Sequence, residues 1–402
     1  LHPMYRRQRQ MCIRDRGILE EAWSAVVEYH DALRMCWIGN ELKIAPFEKP
    51  RIEWFPPEAF EAGVAALQES FVLENFPLIK FAASVEADGT IRLCLIAHHT
   101  VIDAVSWRIL LDDLQLVYQQ MERGERAYLP VKTISYEAWA KLLPSSVEWS
   151  KEDTRYWQGV VQDSQTLSLK KGEGEGSQQI EFELDGCEVD LPILLASAGR
   201  ALSALCKGDR VTVMLESHGR DFQGLGKSPD LSRTVGWMTA IYPFVLRNLE
   251  ESDFRELCQE IEDDLAQVPH GGVSYGILRY LEEESSLQIS PSLGFNFLGR
   301  VDAGFKGGGF ERNKVPGRTV ARNNRPAYPM LINCWLEENT LKGEWIFDPR
   351  FLKREKVTEI LEEFLEQLKG ADDPLSENLY GLDEGQLADI AGQVDFSFEG
   401  DE

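Results

Sequence analysis

Apolar and polar residues alternate over residues 91–97, and this pattern predicts a half-buried strand. On a period of two, the odd-numbered residues of this strand share one face with His99, which follows it closely. A helical period covers residues 105–121, and Asp103 stands where a helix N-cap is expected. The imidazole of His99 is therefore predicted where a strand gives way to a loop, a position that suits a general base or acid.

The same two periods recur along the rest of the chain. Helical periods predict helices at residues 18–34, 57–71, 136–143, 151–161, 191–205, 253–267 and 353–368. Alternating or short apolar runs predict strands at residues 42–45, 78–87, 180–184, 210–216, 293–298, 330–337 and 340–347. Because both parts of the chain mix strands with helices, we expect the α/β (α+β) class, with two layers that face each other across a cleft.

One stretch without apolar periodicity divides the chain. Residues 170–179 are rich in glycine and charge, so we interpret them as a linker between a first half at 18–169 and a second half at 180–395. Residues 1–17 include an arginine-rich stretch without the apolar core of a secretory signal, and we expect them to be foreign or disordered. We interpret residues 396–402 as a tail.

Composition narrows the class of partner. The 402 residues suffice for two ordinary domains, and 67 acidic against 42 basic residues give a formal net charge of -25. This balance argues against nucleic acid, whose phosphates require a dense basic face. No apolar run approaches the length of a membrane span, so we expect no membrane partner. The seven scattered cysteines, without a CxxC pair, fit a reducing cytoplasm.

A second candidate for acid-base chemistry lies in the second half. Glu216 ends the strand predicted at 210–216 and begins the segment Glu216-Ser-His-Gly-Arg-Asp221. His99 and Glu216 are thus predicted at strand ends in opposite halves. If the halves close on each other, the two groups could deprotonate and reprotonate one carbon from its two faces.

The pair of histidines also permits a metal site in principle. His98, His99 and Asp103 are residue types that bind transition metals. The sequence contains only six histidines, and no cluster that would supply the other ligands is evident. We therefore expect no metal.

Several segments together resemble the epimerization domain of nonribosomal peptide synthetases, a branch of the condensation-domain superfamily. They follow the family's order and span roughly residues 18–395: residues 30–34 (HDALR), 98–107 (HHTVIDAVSW), 190–199 (DLPILLASAG), 216–221 (ESHGRD), 232–237 (SRTVGW) with Tyr242-Pro243, 272–276 (GVSYG) and 295–299 (FNFLG). The double-histidine segment marks only the superfamily, whereas 216–221 and 232–237 resemble the epimerization branch. The family's first motif is absent, so we expect an N-terminally truncated domain.

The resemblance implies two chloramphenicol-acetyltransferase-like halves in a V-shaped pseudo-dimer with a central tunnel. A peptidyl carrier protein would present an aminoacyl or peptidyl thioester on its 4'-phosphopantetheine arm, and the enzyme would interconvert the L and D forms at Cα. No tightly bound cofactor is implied, and the other partners would be neighbouring synthetase domains. His99 and Glu216 are the implied catalytic pair; Glu216 is favoured as a base, but the direction of proton transfer stays open.

Other residues acquire roles through the same resemblance. His98 and Asp103 are expected to be structural, with Asp103 forming a buried ion pair with Arg34 that holds the double-histidine loop. The implied substrate contacts are Trp237, Tyr275, Asn296 and Phe297. The family usually has tyrosine at the position of Phe297, so we expect a slower epimerase that a restored hydroxyl would accelerate. The stretch before Asp190 is shorter than is usual, and Ala104 replaces a glycine.

Two other functions stay open. A condensation domain would form an amide bond, but amide formation has no need of a second strand-end carboxylate such as Glu216. A degenerate module would only dock carrier proteins or recruit a partner enzyme. Phe297 and the shortened stretch favour this reading, whereas the presence of both His99 and Glu216 argues against it.

Overall fold

The computed structural model describes residues 2–6, 13–39, 41–145, 151–187, 189–206, 208–220, 229–301, 310–312 and 325–370. The helices are α1 (Ile13–Tyr29), α2 (Phe60–Glu69), α3 (Ala104–Glu122), α4 (Tyr136–Ser145), α5 (Lys151–Asp163), α6 (Leu191–Leu202), α7 (Phe254–Ala266), α8 (Val273–Gly276) and α9 (Arg354–Gly370). The strands are β1 (His2–Arg6), β2 (Met35–Ile38), β3 (Glu41–Ile44), β4 (Ile52–Phe55), β5 (Ile79–Val85), β6 (Ile91–Ala97), β7 (Gln178–Asp185), β8 (Arg210–Ser217), β9 (Ala240–Arg247), β10 (Leu293–Arg300), β11 (Phe310–Arg312), β12 (Met330–Glu337) and β13 (Thr340–Phe347).

The first half is built on a sheet with the strand order β11-β1-β6-β5-β4. Strand β6 has the predicted bounds, but helices cover both of its faces. Its odd-numbered residues join the core formed with α1 and α3, whereas Cys94 and Ile96 pack with Phe60 and Val64 of α2. The strand is therefore buried rather than half-buried. Beside this sheet, β2 and β3 form a separate hairpin.

The second half is built on a sheet with the order β7-β13-β12-β10-β8-β9. Strand β10 runs parallel to both of its neighbours, and the other pairs are antiparallel. One face is covered by helices: the Phe364 ring of α9 lies 5.8 Å from the ring of Phe182 and 5.5 Å from that of Trp345. Buried and half-buried residues alternate along β12 and β13, so the opposite face is more open. We call this opposite face of the second sheet the open face.

The boundary between the two halves lies earlier in the chain than predicted. Trp157 of α5 is fully buried in the second core, and its indole nitrogen donates to the Ser274 hydroxyl at 2.9 Å. The backbone N–H of Ser168 donates to the Leu205 carbonyl at 2.7 Å. The chain from α5 onward therefore packs with the second half, and β7 begins inside the predicted linker at 170–179. Residues 371–395 and the tail at 396–402 lie outside the described residues.

The start of the chain also differs from our expectation for residues 1–17. Strand β1 pairs with β6 and β11, and α1 begins at Ile13 rather than at residue 18. Residues 1 and 7–12 lie outside the described residues. The pairing of β1 is entirely non-local, which is why the local pattern of this segment did not predict it.

Several described segments of the second half lie against the first half. Strand β11 pairs with β1 at the edge of the first sheet. Another such segment is the loop of residues 229–239, which we call the crossing loop; its Val235 is buried in the first core. The Thr234 hydroxyl in this loop donates to the Ile134 carbonyl at 2.7 Å, and Arg233 forms an ion pair with Asp113 of α3. None of the helices in the described ranges is long and apolar enough to cross a membrane.

Candidate functional site

His99 lies directly after β6, in a short 3-10 turn of residues His99–Val101. His98 holds this turn: its N–H donates to the Leu78 carbonyl at 2.9 Å, and its Nδ1 accepts from the Thr100 N–H at 3.3 Å. Burial, and secondarily the neighbouring imidazole of His99, lowers the pKa of His98, so its ring stays neutral and able to accept. His98 is thus placed in a structural role, whereas the His99 side chain is exposed.

Trp237 of the crossing loop lies beside His99. The two ring centroids are 5.2 Å apart and the rings are inclined by 58°. The Trp237 carbonyl accepts a hydrogen bond from the hydroxyl of Tyr136 at 3.0 Å, which fixes the loop. The Trp237 side chain is nevertheless 40% exposed. An exposed ring next to His99 suits the predicted substrate contact.

Arg34 does not bind Asp103, and this prediction was wrong. The Arg34 guanidinium donates to the carbonyls of Val27 and Glu28, at 2.9 and 2.6 Å, and to the Asp31 carboxylate at 2.7 Å. These carbonyls belong to the last turn of α1, which lacks intrahelical donors. Arg34 therefore caps the C-terminus of α1. These local hydrogen bonds take the place of the predicted long-range ion pair with Asp103.

Asp103 binds Arg220 instead. Arg220 Nη1 lies 2.8 Å from Asp103 Oδ2, Nη2 lies 3.1 Å from Oδ1, and the two side chains are only 8% and 2% exposed. The same carboxylate accepts from the N–H of Ser106, at 2.7 Å, and so caps α3. It also accepts from the N–H of Met238 in the crossing loop, at 3.1 Å. This buried pair, which we call the clamp, joins the two halves.

The clamp connects the segments that follow the two candidate catalytic residues. His99 precedes Asp103 by four residues, and Glu216 precedes Arg220 by four residues. Asp103 thus lies in the segment that contains His99, and Arg220 lies in the segment that begins at Glu216. The sequence contained no signal for the pairing of Asp103 with Arg220, because the pair spans 117 residues.

Gly219 makes room for the clamp. Its φ is +65°, and a Cβ at this position would lie 1.7 Å from the Met238 carbonyl oxygen. We expect Gly219→Ala to lower the free energy of unfolding by about 3 kcal/mol, since strain and a backbone clash act together. Gly39→Ala is the control, because Gly39 has a similar φ of +64° but no atom near the added Cβ. Equal losses in denaturant titrations of the two variants would contradict the close approach.

Glu216 lies near the end of β8, on the open face of the second sheet. Leu215 is paired with Phe295 of β10, so the next residues, Glu216 and Asn296, occupy neighbouring positions on one face. Glu216 is half-buried, and burial raises the pKa of its carboxyl above the usual range. A carboxylate that is less well solvated is a stronger base, which suits proton abstraction.

Two predicted substrate contacts differ in the structure. Phe297 alternates away from Asn296, is paired with the fully buried Cys334 and packs against the helix-covered core. A hydroxyl at position 297 would therefore lie on the face opposite Glu216. Tyr275 is 2% exposed, and its hydroxyl donates to the Leu287 carbonyl at 2.9 Å, so it serves the core rather than a substrate wall.

Tyr328 is a residue that the sequence reasoning missed. Its ring packs over Gly294, where an added Cβ would lie only 2.5 Å from the ring. Burial, and then the Glu216 carboxylate, raise the pKa of Tyr328 to about 12. Because the ring covers Gly294, Tyr328 lies on the open face, which also carries Glu216. The available signal was a glycine within the strand predicted at 293–298, since a strand glycine often marks a close approach.

A metal site was the other possibility that the two histidines raised. Across the described part of the chain, no group of three or more histidine, cysteine, aspartate or glutamate residues is arranged to hold a metal ion. The groups described at the site are an exposed imidazole, a half-buried carboxylate and a phenol, with a buried ion pair between the segments that carry the first two.

Comparison with known families decides the membership of the chain. The model of the condensation domain matches residues 10–379. The chain belongs to the condensation-domain family. Membership agrees with the position of the double-histidine segment at the end of β6.

Relatives of this condensation-family chain include large synthetases. It is 34% identical to surfactin synthase subunit 1 of Bacillus subtilis (strain 168) over 366 residues, which cover 80% of this chain and 10% of that protein. It is 27% identical to bacitracin synthase 3 of Bacillus licheniformis over 393 residues, which cover 88% of this chain and 6% of that protein. The chain thus spans about a tenth or less of the length of these two relatives.

Solved structures show the same fold. An epimerization domain from the third module of tyrocidine synthetase B aligns with a TM-score of 0.79 and 24% identity, covering 92% of this chain and 91% of that one. The X-domain from teicoplanin biosynthesis aligns with a TM-score of 0.72 and 15% identity, covering 93% and 90%. These likenesses confirm the predicted fold class of two chloramphenicol-acetyltransferase-like halves.

Proposed function

We propose that this condensation-family domain epimerizes the Cα of an aminoacyl or peptidyl thioester during nonribosomal peptide synthesis. The observation that supports this most strongly is the clamp, because it ties the segment after Glu216 to the segment after His99. A reaction that removes a proton from one face of a carbon and returns one to the other face requires two such groups on opposite sides.

The proposed chemistry balances without a cofactor. The thioester acidifies the Cα hydrogen, and Glu216 accepts that proton as the C–H electrons move into the enolate. His99, as imidazolium, then protonates Cα from the other face. The exposed His99 regains a proton from solvent, and Glu216 releases its own, so that both groups are reset. In the reverse direction the two residues exchange roles.

The proposed substrate arrives on a partner. We infer that a peptidyl carrier protein inserts its 4'-phosphopantetheine arm into a tunnel between the halves and that other synthetase domains adjoin this one. The size of the relatives supports this context, since the chain covers only 10% of surfactin synthase subunit 1. Exposed Trp237 and half-buried Asn296 are the proposed contacts for the acyl group.

The alternative functions make different demands on the same residues. Amide formation needs one base near the double-histidine turn and gives no role to the raised pKa of Glu216. A docking module needs neither His99 nor Glu216. Epimerization is the function that uses both His99 and Glu216.

The stereochemistry of the product tests the proposal. A carrier protein loaded with an L-aminoacyl thioester should yield a mixture of L and D residues after incubation with the domain, thioester hydrolysis and chiral chromatography. The same protein, given a second carrier with an acceptor amine, should form no dipeptide. Dipeptide formation without any D residue would identify a condensation domain. Formation of neither a dipeptide nor a D residue would favour a docking module.

A further inference from the structure

We propose that Tyr328 is a further catalytic residue, whose hydroxyl donates a hydrogen bond to the thioester oxygen as the enolate forms. The proposal rests on the epimerization proposed above and assigns the oxyanion donor of that reaction. Neither the double-histidine segment nor the segment that contains Glu216 includes this residue.

The placement of Tyr328 supports this role. Gly294 has no side chain, so the Tyr328 ring lies against the backbone of β10; an added Cβ there would meet Cδ2 and Cε2 of the ring at 2.5 and 2.6 Å. The Leu331 side chain would lie 2.9 Å from the same added Cβ, so the ring and this side chain together cover Gly294. Glu216 lies on this same face, one strand away from β10. The phenol therefore lies on the face of the sheet that carries the proposed base.

The hydroxyl of Tyr328 is available, unlike those of two other tyrosines near the site. Tyr275 donates to the Leu287 carbonyl at 2.9 Å, and Tyr136 donates to the Trp237 carbonyl at 3.0 Å. Among the residues that the structure describes, Tyr328 has no hydrogen-bond partner for its hydroxyl. A ring that is packed while its donor is unused suits a group that meets a ligand.

The chemistry requires a donor of this kind beside the base. When Glu216 takes the Cα proton, negative charge develops on the thioester oxygen, which is bonded to the next carbon. A donor for that oxygen must therefore lie near the base. Burial and the Glu216 carboxylate keep the pKa of Tyr328 near 12, so the phenol stays protonated and donates a hydrogen bond without giving up its proton.

This assignment also accounts for the hydroxyl that is missing at Phe297. Phe297 packs on the helix-covered side of the second sheet, whereas Tyr328 lies on the open face with Glu216. The site thus retains a phenol donor although position 297 lacks one.

Tyr328→Phe tests the proposal, because it removes the hydroxyl and keeps the ring that packs on Gly294. We expect kcat for Cα epimerization of a carrier-bound aminoacyl thioester to fall by about a hundredfold, the usual effect of losing one oxyanion donor. KM for the loaded carrier and the melting temperature should change little. Tyr156→Phe is the matched control: Tyr156 is also half-buried with a pKa raised to about 12, but it lies near Asp264 and Arg247.

The outcomes separate this proposal from the one on which it rests. If the wild type epimerizes and Tyr328→Phe does so at an unchanged kcat, the role of Tyr328 is overturned while the function stands. If Tyr328→Phe and Tyr156→Phe lose kcat equally, or if the loss of Tyr328→Phe lies in KM alone, the role as an oxyanion donor is also overturned. If the wild type itself produces no D residue, the proposed function fails first, and the role of Tyr328 fails with it.

Discussion

Replacing Glu216 by glutamine is expected to slow Cα epimerization by about a hundredfold or more, the usual range for removing a general base. His99→Ala should have an effect of similar size, because the second face of the carbon then lacks its proton carrier. Single-turnover assays with a loaded carrier protein would measure both. Near-normal rates in Glu216→Gln would contradict the mechanism in which two groups act from opposite faces.

The raised pKa of Glu216 adds two expectations to this experiment. The rate should fall on acidification at a higher pH than an ordinary carboxyl would give, because burial favours the protonated, inactive form. The folded state also binds this proton more tightly than the unfolded state, so Glu216 contributes less stability as the pH rises through its raised pKa. Glu216→Gln should therefore melt at the same temperature as the wild type or higher at neutral pH, which excludes unfolding as the cause of lost activity.

Breaking the clamp is expected to have the largest effect on stability. Asp103→Ala leaves the buried Arg220 guanidinium without its carboxylate, and such a loss costs about 3–5 kcal/mol. Glu125→Ala is the control: Glu125 also pairs with an arginine, Arg123, but its side chain is 51% exposed, and such pairs contribute about 1 kcal/mol or less. Urea titrations would compare the two.

A double variant distinguishes the pair from its individual residues. Asp103→Ala combined with Arg220→Met removes both charges, so the combined loss of stability should be smaller than the sum of the two single losses. Additive losses would show that the two residues act independently, contrary to the short contacts between them.

Much of the fold could be predicted because its elements have local causes. Strand β6 and helix α3 follow from a clear alternation and from the N-cap at Asp103. Strand β9 was missed because Pro243 stands in its middle, and proline normally argues against a strand. The structure places β9 at the edge of the second sheet, where a missing N–H is tolerated. Strand β1 depends only on distant partners and has no local signal.

Part of the candidate site could also be predicted from the sequence. His99 and Glu216 could be found because each marks the end of a recognisable strand. The partner of Asp103 could not be found, since it depends on how the two halves approach each other. Tyr328 lies outside every segment that carried the family resemblance, and only its packing on Gly294 brings it to the site.

Hydrogen exchange at Cα is the most direct test of epimerization by two groups. Loaded carrier proteins bearing an L- or a D-aminoacyl thioester would be incubated with the domain in deuterated water, and the released residue would be analysed by mass spectrometry. We predict deuterium at Cα from either starting form with the wild type, and almost none from the L form with Glu216→Gln, since Glu216 is the proposed base for that form. Absence of exchange in the wild type, or equal exchange of the L form by the two proteins, would contradict this mechanism.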